Sequence, residues 1–370
     1  MREEFERLFH ELKPRMDAPG EFMRLPYAWF DGERAVQGSR LSVGFQVIDK
    51  PAVMRTEPHF HADEQYLIFM GAVWPDIFDS WDGEVWVYMG KSPDKMERIV
   101  ITKPTIIHVP RGYFHCPIEV RRADKPILFT APTQAGSVAA ITEVRFPGGE
   151  KSDIYHEITP TGGGYPPYES VEWTVINENG GLSDEIRQYV LVIPREDTAH
   201  GPMVPSPQAY FRGKTYLDNA TIHMGWQVIA GGPMPMENAH FHQAGEEYIF
   251  FTGANPADIF DFDAEISFKI GDSPDELEEK IITRPTVVRV PAFMWHCPIN
   301  FTRVTKPLMF QAAFMDGVWG TIERRSVDGG GLIYSYMGDN VRFCVYDTRK
   351  TCNMCGKCSK NASAGRTAAR

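Results

Sequence analysis

Two stretches of the chain carry the same set of residues that could bind a metal ion. Each has two histidines separated by one residue, a carboxylate shortly after them, and a third histidine further on within His-Cys-Pro-Ile. The sets are His59, His61, Glu64 and His115 in the first stretch, and His240, His242, Glu246 and His296 in the second. Three imidazoles and one carboxylate suit a divalent ion of Fe, Mn, Co, Ni or Zn, and they leave coordination positions for water, O₂ or a chelating substrate. The sequence therefore predicts up to two metal sites, with iron or manganese favoured.

An internal repeat places both stretches in equivalent positions. Gly44-Phe-Gln-Val-Ile returns as Gly225-Trp-Gln-Val-Ile, and Asp76-Ile-Phe-Asp returns as Asp258-Ile-Phe-Asp, in each case 181 or 182 residues later. The match covers roughly eighty residues per half, which is too long for one unit of a solenoid. The chain is therefore predicted to contain one domain twice.

Short runs rich in aromatic and β-branched residues fill each repeat. Gln65–Met70 and Thr105–Val109 are examples, and Gly, Pro and Asp separate such runs. This pattern predicts an all-β sandwich or barrel. Alternate residues of a strand share one face, so the two histidines of each closely spaced pair should point the same way. We expect a closed barrel to bring these faces together around an interior point.

Two tyrosines share strand faces with the predicted carboxylate ligands. Tyr66 lies two residues after Glu64, and Tyr248 lies two residues after Glu246. Both are therefore predicted to face the barrel interior as catalytic hydroxyls that handle protons. Packed core aromatics with satisfied hydroxyls are an equally good interpretation.

Four further polar residues are candidates for binding substrate or orienting a ligand. Gln46 and Gln227 recur at the same place amid apolar strand residues, where a hydrogen bond at the barrel rim is the alternative. Arg55 and Arg111 flank the first site and could pair with a substrate carboxylate. An arginine near a strand end is more often a surface residue.

Composition and charge limit the classes of partner. The chain has 370 residues and a net charge of −11, which disfavours nucleic acid or an anionic membrane as a partner. No stretch is apolar for long enough to span a bilayer, and the charged segment Met1–His10 lacks the apolar core of a signal peptide. The six cysteines do not form a spread disulfide framework. We expect a cytoplasmic protein that acts on a small molecule.

Four cysteines lie close together near the end of the chain. Cys352, Cys355 and Cys358 have Cys-x₂-Cys-x₂-Cys spacing, and Cys344 is the nearest candidate for a fourth ligand. Such thiols can chelate zinc or part of an iron–sulfur cluster. The alternative is a disordered tail that binds metal adventitiously.

The order of these residues resembles the two sequence motifs of the cupin superfamily. In both halves six residues separate the glutamate from a glycine, at Gly71 and at Gly253, and Pro110-x-Gly112-x-x-His fits the second motif. The second half has Phe293 in place of that glycine. The resemblance implies a bicupin, with two jelly-roll barrels in one chain. The second half has the more usual ligand spacing and is expected to be the better metal binder.

The repeat and the resemblance together suggest five regions. They are an N-terminal helix at 1–20, a first barrel at 21–147, a connector with flanking strands at 148–207, a second barrel at 208–346 and a cysteine-rich, partly disordered tail at 347–370. The helix is expected to dock on the body of the protein or on a partner subunit, so a homodimer is an open expectation.

The leading functional hypothesis is a mononuclear-metal enzyme of dioxygenase or decarboxylase type with a small oxygenated or aromatic substrate. Bicupin enzymes that act on oxalate carry an arginine close before the His-x-His pair. The second half has no such arginine before His240, which weighs against oxalate. A non-catalytic metal-binding or ligand-binding cupin, acting as sensor or scaffold, and a sugar isomerase are the alternatives.

Overall fold

The computed structural model describes residues 1–17, 20–55, 57–145, 149–157, 177, 180–197, 203–255, 258–327 and 331–338. The predicted cysteine cluster of Cys344, Cys352, Cys355 and Cys358 lies outside these residues, as does the side chain of Arg55. The described helices have three or four residues each, so none of them could span a bilayer.

The first repeat is built almost entirely from strands. They are β1 (Phe9–Glu11), β2 (Met23–Phe30), β3 (Val43–Ile48), β4 (Ala52–Arg55), β5 (Gln65–Gly71), β6 (Gly83–Gly90), β7 (Glu97–Ile101), β8 (Thr105–Val109), β9 (Phe114–Ala123), β10 (Ile127–Thr130), β11 (Ala139–Arg145) and β12 (Lys151–Glu157). Two short helices, α1 (Glu3–Glu6) and α2 (Gly32–Ala35), accompany them. The predicted all-β class is confirmed.

The second repeat follows the same plan. It contains α3 (Asp184–Arg187), β13 (Val190–Val192), β14 (Arg195–Glu196), β15 (Gln208–Phe211), a 3₁₀ turn (Gly213–Thr215), β16 (His223–Ile229), β17 (Met234–Met236), β18 (His240–Phe241), β19 (Glu247–Gly253), β20 (Ala264–Gly271), β21 (Glu278–Ile282), β22 (Thr286–Val290), β23 (Trp295–Val304), β24 (Leu308–Phe314), β25 (Gly320–Val327) and β26 (Gly331–Gly338). The predicted duplication therefore extends to secondary structure.

The strands form two barrels of facing sheets. In the first barrel, β13-β8-β5-β10-β3-β2 faces β4-β9-β6-β7, and the hairpin β11–β12 lies beside them. In the second, β1-β22-β19-β24-β16-β15-β14 faces β21-β20-β23-β18-β25-β26. Inward side chains such as Phe69 and Val87, or Phe251 and Phe268, fill the space between each pair of sheets. This packing of two antiparallel sheets is a jelly roll, present twice.

The opening segment of each repeat packs on the barrel of the other repeat. Strand β1 pairs with β22 of the second barrel, with Phe9 opposite Val288. Its counterpart β13 pairs with β8 of the first barrel, with Val190 opposite Ile107. The residues that open the chain thus complete the second barrel, and residues inside the predicted connector complete the first.

The same anchoring contacts hold both exchanged segments. Glu278 accepts a hydrogen bond from the backbone N–H of Arg2 at 2.7 Å, and Glu97 accepts one from the backbone N–H of Ser183 at 2.8 Å. The predicted helix at 1–20 is shorter than expected, because α1 ends at Glu6 and the chain then extends as a strand to fill a sheet edge.

A third hydrophobic core lies between the two barrels. It joins the outer faces of β5 and β19 and includes Tyr66 and Tyr248. Phe45 of the first barrel contacts Phe250 of the second edge-to-face, with ring centroids 5.6 Å apart. The two barrels therefore form one packed body, and the even-numbered side chains of β5 and β19 are used for this contact.

The exchange of opening segments predicts which barrel a substitution in each segment will destabilise. Phe5 is 1% exposed within the core of the second barrel, so Phe5→Ala should cost about 3–5 kcal/mol there. Hydrogen exchange of the β22 amides should accelerate, while exchange in β8 should not. The matched variant Ile186→Ala should do the reverse, because Ile186 packs in the first barrel. Faster exchange in β8 on Phe5→Ala would contradict the assignment.

Candidate metal centres

The second barrel brings four potential ligands together in a buried group. His240, His242, Glu247 and His296 each offer an atom within 4.8 Å of the others, and none is more than 7% exposed. Glu247 Oε2 lies 3.2 Å from His242 Nε2 and 3.1 Å from His296 Nε2. Two ligands bound to one ion at roughly 2.1 Å and at right angles are about 3 Å apart. The spacing therefore fits a single transition-metal ion.

Backbone carbonyls orient all three rings of this group. The Nδ1 atoms of His240, His242 and His296 donate to the carbonyl oxygens of Asn238, Gly320 and Met294, at 2.7, 2.8 and 3.2 Å respectively. These bonds fix the tautomer that leaves Nε2 as the lone-pair atom. Nε2 is thus the nitrogen that each of the three rings presents to an ion.

The charges within the group also favour a cation. Burial and the two neighbouring histidines hold the pKa of His240 well below its usual value. Burial alone would raise the pKa of Glu247, but His242 and His296 outweigh it and hold that pKa well below its usual range. Burial alone would lower the pKa of His242, but the charge of Glu247 outweighs it and raises that pKa. Glu247 is therefore an ionised carboxylate in contact with imidazole.

The first barrel has an equivalent set of three histidines. His59, His61 and His115 offer ligand atoms within 4.8 Å of one another, and all are buried. Their ring centroids are 4.3–5.0 Å apart, against 4.2–5.1 Å in the second barrel. The strand position of Glu247 is taken here by Gln65. Among the described residues, the first group therefore has no carboxylate ligand.

Two glutamates predicted as ligands, Glu64 and Glu246, lie away from the histidine groups. Glu246 accepts hydrogen bonds from Arg289, at 2.9 Å from Nε and 2.8 Å from Nη2. Glu64 lies 2.7 Å from His108 Nε2 and accepts a hydrogen bond from Arg111 Nε at 3.1 Å. The structure corrects both assignments. Each glutamate is one residue before the ligand position, and successive residues of a strand point to opposite faces.

The tyrosines Tyr66 and Tyr248, predicted as catalytic, also face away from the metal groups. The Tyr66 hydroxyl accepts a hydrogen bond from the backbone N–H of Thr221 at 2.8 Å, across the barrel interface. The Tyr248 hydroxyl accepts hydrogen bonds from Ser39 Oγ at 3.0 Å and from the N–H of Arg40 at 2.7 Å. Burial raises the pKa of both hydroxyls. Both are structural residues of the inter-barrel core, which was the alternative interpretation.

The two glutamines predicted to bind substrate or orient a ligand face the barrel interiors, whereas Arg111 does not. Gln46 alternates with interface residues on β3 and is half-buried. Gln227 donates to Gln208 Oε1 at 3.1 Å and to the Tyr210 hydroxyl at 2.6 Å. Arg111 is 69% exposed and is paired with Glu64. The structure thus places Arg111 at the surface.

A cavity of about 310 Å³ adjoins the second group. It is lined by Gln243, Ala244, Phe293, Phe314, Asp316, Val318, Gly320 and Tyr336. The Phe314 ring packs against the ring of His242, with centroids 4.8 Å apart. Phe314 lies opposite Glu247, and its counterpart in the first barrel, Thr133, lies opposite Gln65. At this position beside the histidine group, the second barrel therefore has an aromatic residue and the first a small polar one.

One aromatic residue of this cavity has an unusual backbone conformation. Phe293 has φ +66° and occupies the position of Gly112, which has φ +78°. The left-handed region costs a non-glycine residue roughly 1–2 kcal/mol, and such strain is often found at ligand contacts. The Phe293 side chain is 62% exposed. The turn thus holds an aromatic ring at the cavity wall instead of in the core.

Two more carboxylates surround the second group. Glu237 Oε2 lies 3.6 Å from His240 Nε2 and accepts a hydrogen bond from Cys297 Sγ at 3.8 Å. Glu323 lies opposite His240 in the β18–β25 pair and is 5% exposed. Sequence reasoning missed these residues together with Glu247. The sequence did contain a signal for Glu247, because this residue is the second of two adjacent glutamates and aligns with Gln65 in the repeat.

The two jelly-roll barrels, each with a buried histidine group, define the architecture of a bicupin. A structure of oxalate decarboxylase from Bacillus subtilis with Mn(II) centres superposes with a TM-score of 0.54 at 12% identity, over 85% of this chain and 78% of that one. A second oxalate decarboxylase structure gives a TM-score of 0.53 at 13% identity, over 85% of this chain and 79% of that one. A third structure, also of the B. subtilis enzyme, gives a TM-score of 0.51 at 14% identity, over 83% of this chain and 76% of that one. At these identities the likeness shows the fold. No protein-family model and no curated protein sequence matches the chain.

The corrected ligand position can be tested by changing two adjacent residues. Glu247→Gln should weaken metal binding by the second barrel roughly tenfold or more, because it removes the negative charge that touches the ligand nitrogens of His242 and His296. Glu246→Gln should lower the melting temperature and leave metal affinity unchanged, because its partner is Arg289. Metal titration of both variants decides. Loss of affinity in Glu246→Gln alone would restore the original assignment.

The pairing of Glu64 with His108 and Arg111 predicts how this carboxylate affects the stability of the protein in acid. Burial alone would raise its pKa, but His108 and Arg111 outweigh it and lower the pKa below its usual 4.5. A lowered pKa stabilises the folded state above the unfolded-state value, and this contribution is lost as pH falls through the folded value. Glu64→Gln should therefore make stability less dependent on pH below about pH 4.5 in urea unfolding. Exposed Glu150→Gln is the control, and an unchanged pH dependence in Glu64→Gln would contradict the pairing.

Proposed function

We propose that the chain is a metal-dependent enzyme whose catalytic site is the group of His240, His242, Glu247 and His296. The observation that carries the proposal is the convergence of these four ligand atoms within 4.8 Å in a buried position. A divalent ion held there would supply a Lewis acid with open coordination positions. Iron or manganese is favoured, because three imidazoles and a carboxylate suit both.

The residues of the chain supply orientation and shape. The carbonyls of Asn238, Gly320 and Met294 hold the imidazole rings, and Glu247 contributes the negative charge. The neighbouring cavity, at about 310 Å³, is large enough for one small ring or branched chain. Phe314 packs on a ligand ring and also lines the cavity, so a molecule in the cavity would lie beside the metal group.

The lining of the cavity favours an apolar or aromatic substrate with an oxygen-bearing end. Phe293, Phe314, Val318 and Tyr336 offer apolar contact, and Gln243 offers an amide. A dioxygenase-type reaction on such a substrate is our first proposal, and a decarboxylation is the second. The size of the cavity supports the proposal of a small-molecule partner.

Oxalate itself fits this lining poorly. Of the described residues that line the cavity, none is cationic and Asp316 is acidic. Glu237 adds another carboxylate 3.6 Å from His240 Nε2. A dianion would be repelled by ionised carboxylates and would meet no arginine among the described residues that line the cavity. The activity of the oxalate decarboxylases that share the fold is therefore not proposed for this chain.

Metal content and oxygen uptake test the proposal. Wild type, His240→Ala/His242→Ala and a chain ending before Thr351 should be purified without chelators and assayed for metal. We expect the double variant to lose one equivalent of iron or manganese. Metal lost only on truncation would belong to the cysteine cluster. With Fe(II) restored, catechols and aromatic enediols should drive oxygen uptake, and oxalate should not.

Three results would contradict the proposal in different ways. Absence of metal from wild type after anaerobic loading would remove the metal site. Bound metal with a filled, water-free coordination sphere and no turnover would favour a non-catalytic binding protein. Turnover of oxalate would contradict the assignment of an apolar substrate.

The aromatic wall predicts a specificity effect. Phe314→Thr introduces the residue that the first barrel has at this position and removes the ring that contacts both His242 and the cavity. The KM for an aromatic substrate should rise by roughly tenfold while metal content stays the same. Phe22→Thr, which changes a phenylalanine packed on the first barrel core, is the matched control and should leave KM unchanged. An equal rise in KM in both variants would show a general loss of packing instead.

A further inference from the structure

The two histidine groups have nearly the same geometry but different charge. In the second barrel, Glu247 touches the ligand nitrogens, whereas Glu323, opposite His240, is paired with Arg325 at 2.7 Å. In the first barrel the corresponding strand positions hold Gln65 and Thr142, because the repeats pair their strands in the same register. Thr142 is 3% exposed and donates to the carbonyl of Ile154 at 3.5 Å. The charge that touches the histidines therefore differs at one position, where neutral Gln65 replaces Glu247.

Gln65 retains an unused hydrogen-bond acceptor beside the first group. Its side chain is 7% exposed, and its amide nitrogen donates to Thr133 Oγ1 at 2.9 Å. Its Oε1 atom has no hydrogen-bond partner within the part of the chain that the structure describes. A buried acceptor without a partner costs about 1–3 kcal/mol, so this atom favours a ligand that brings a cation or a donated hydrogen.

Charge balance indicates what that ligand must include. Three neutral imidazoles add no charge to a divalent ion, so the first site would keep a charge of about +2 in a buried position. In the second site Glu247 compensates part of the charge from within the chain. A buried uncompensated charge is strongly unfavourable, and a small anion from solution is the missing partner.

We propose that the first barrel binds a divalent ion together with a small monoanion, of the carboxylate or azide type, whereas the second barrel binds its ion without one. This inference rests on the proposed function, since it takes the histidine groups to be metal sites. The two barrels then differ in ligand class: the first selects an anion, and the second selects the neutral or apolar molecule that its cavity fits.

Gln65 is the specificity-determining residue in this assignment. A carboxylate at its position would supply the compensating charge and compete with the anion. At roughly 4 Å a full charge has a strong effect on ion binding even with surface-like screening. Exchanging Gln65 and its counterpart Glu247 should therefore exchange the anion preference of the two barrels.

Cobalt spectroscopy on single-site variants tests the proposal without an activity assay. Of the two histidine groups, His240→Ala/His242→Ala leaves the first, and His59→Ala/His61→Ala leaves the second. Both are loaded with Co(II), and the visible absorption is followed during titration with sodium azide. We expect azide to shift the spectrum of the first-group protein with roughly tenfold or greater affinity than that of the second-group protein.

Charge exchange in the same backgrounds makes the test specific. Gln65→Glu should weaken azide binding to the first group by roughly tenfold or more, and Glu247→Gln should strengthen it at the second. Thr133→Val is the matched control, because it removes the hydrogen bond to Gln65 without adding charge. It should leave azide affinity within about twofold.

The outcomes separate failure of this inference from failure of the proposed function. Equal azide affinity at both groups, or no response to Gln65→Glu, would overturn the anion proposal and leave the second site intact. Co(II) bound by the second group but not by the first would also overturn it. Absence of Co(II) from both single-site proteins, with melting temperatures that show folded protein, would overturn the proposed function as well.

Discussion

The packing of one barrel against the other determines which side of each strand is left for chemistry. The even-numbered residues of β5 and β19 are committed to the inter-barrel core, where Tyr66 and Tyr248 are fully buried. Only the odd-numbered residues then point into the barrels, and these include Gln65 and Glu247. Because a strand alternates its faces strictly, the interface fixes the positions that can hold a ligand carboxylate.

The interface is well preserved between the repeats, whereas the sites have diverged. Both repeats use a glutamate just before the strand, paired with a β8 or β22 residue: Glu64 with His108, and Glu246 with Arg289. Both also use a tyrosine hydroxyl that accepts a backbone N–H from the other barrel. Inside the barrels the histidines are the same, but the carboxylate and the cavity lining differ. Packing restrains the outer faces, and the inner faces are free to differ in charge and size.

The sequence was sufficient to predict the fold and the six histidines of the two groups. The duplicated His-x-His pairs and the alternation of apolar residues indicate two β-barrels, because both patterns depend only on strand periodicity. The carboxylate was misplaced because Glu246 and Glu247 are adjacent, and the direction of a strand face is decided by what packs on it. That packing partner is the other barrel, more than 180 residues away in the chain. The cavity depends on Phe314, the last residue of β24, and on Val318 beyond it, and neither belongs to a sequence motif.

The exchange of opening segments sets an order on how the chain can fold during synthesis. Arg2 and its partner Glu278 are 276 positions apart, so α1 and β1 leave the ribosome long before β22 exists to receive them. The first barrel, in contrast, obtains its edge strand β13 shortly after its own last strand is made. The first barrel can therefore close while the second is still being translated, and the apolar residues Phe5 and Leu8 must stay unpaired in the meantime. A nascent chain of this design has an exposed apolar segment at one end until its final third is complete, which is the kind of surface that chaperones bind.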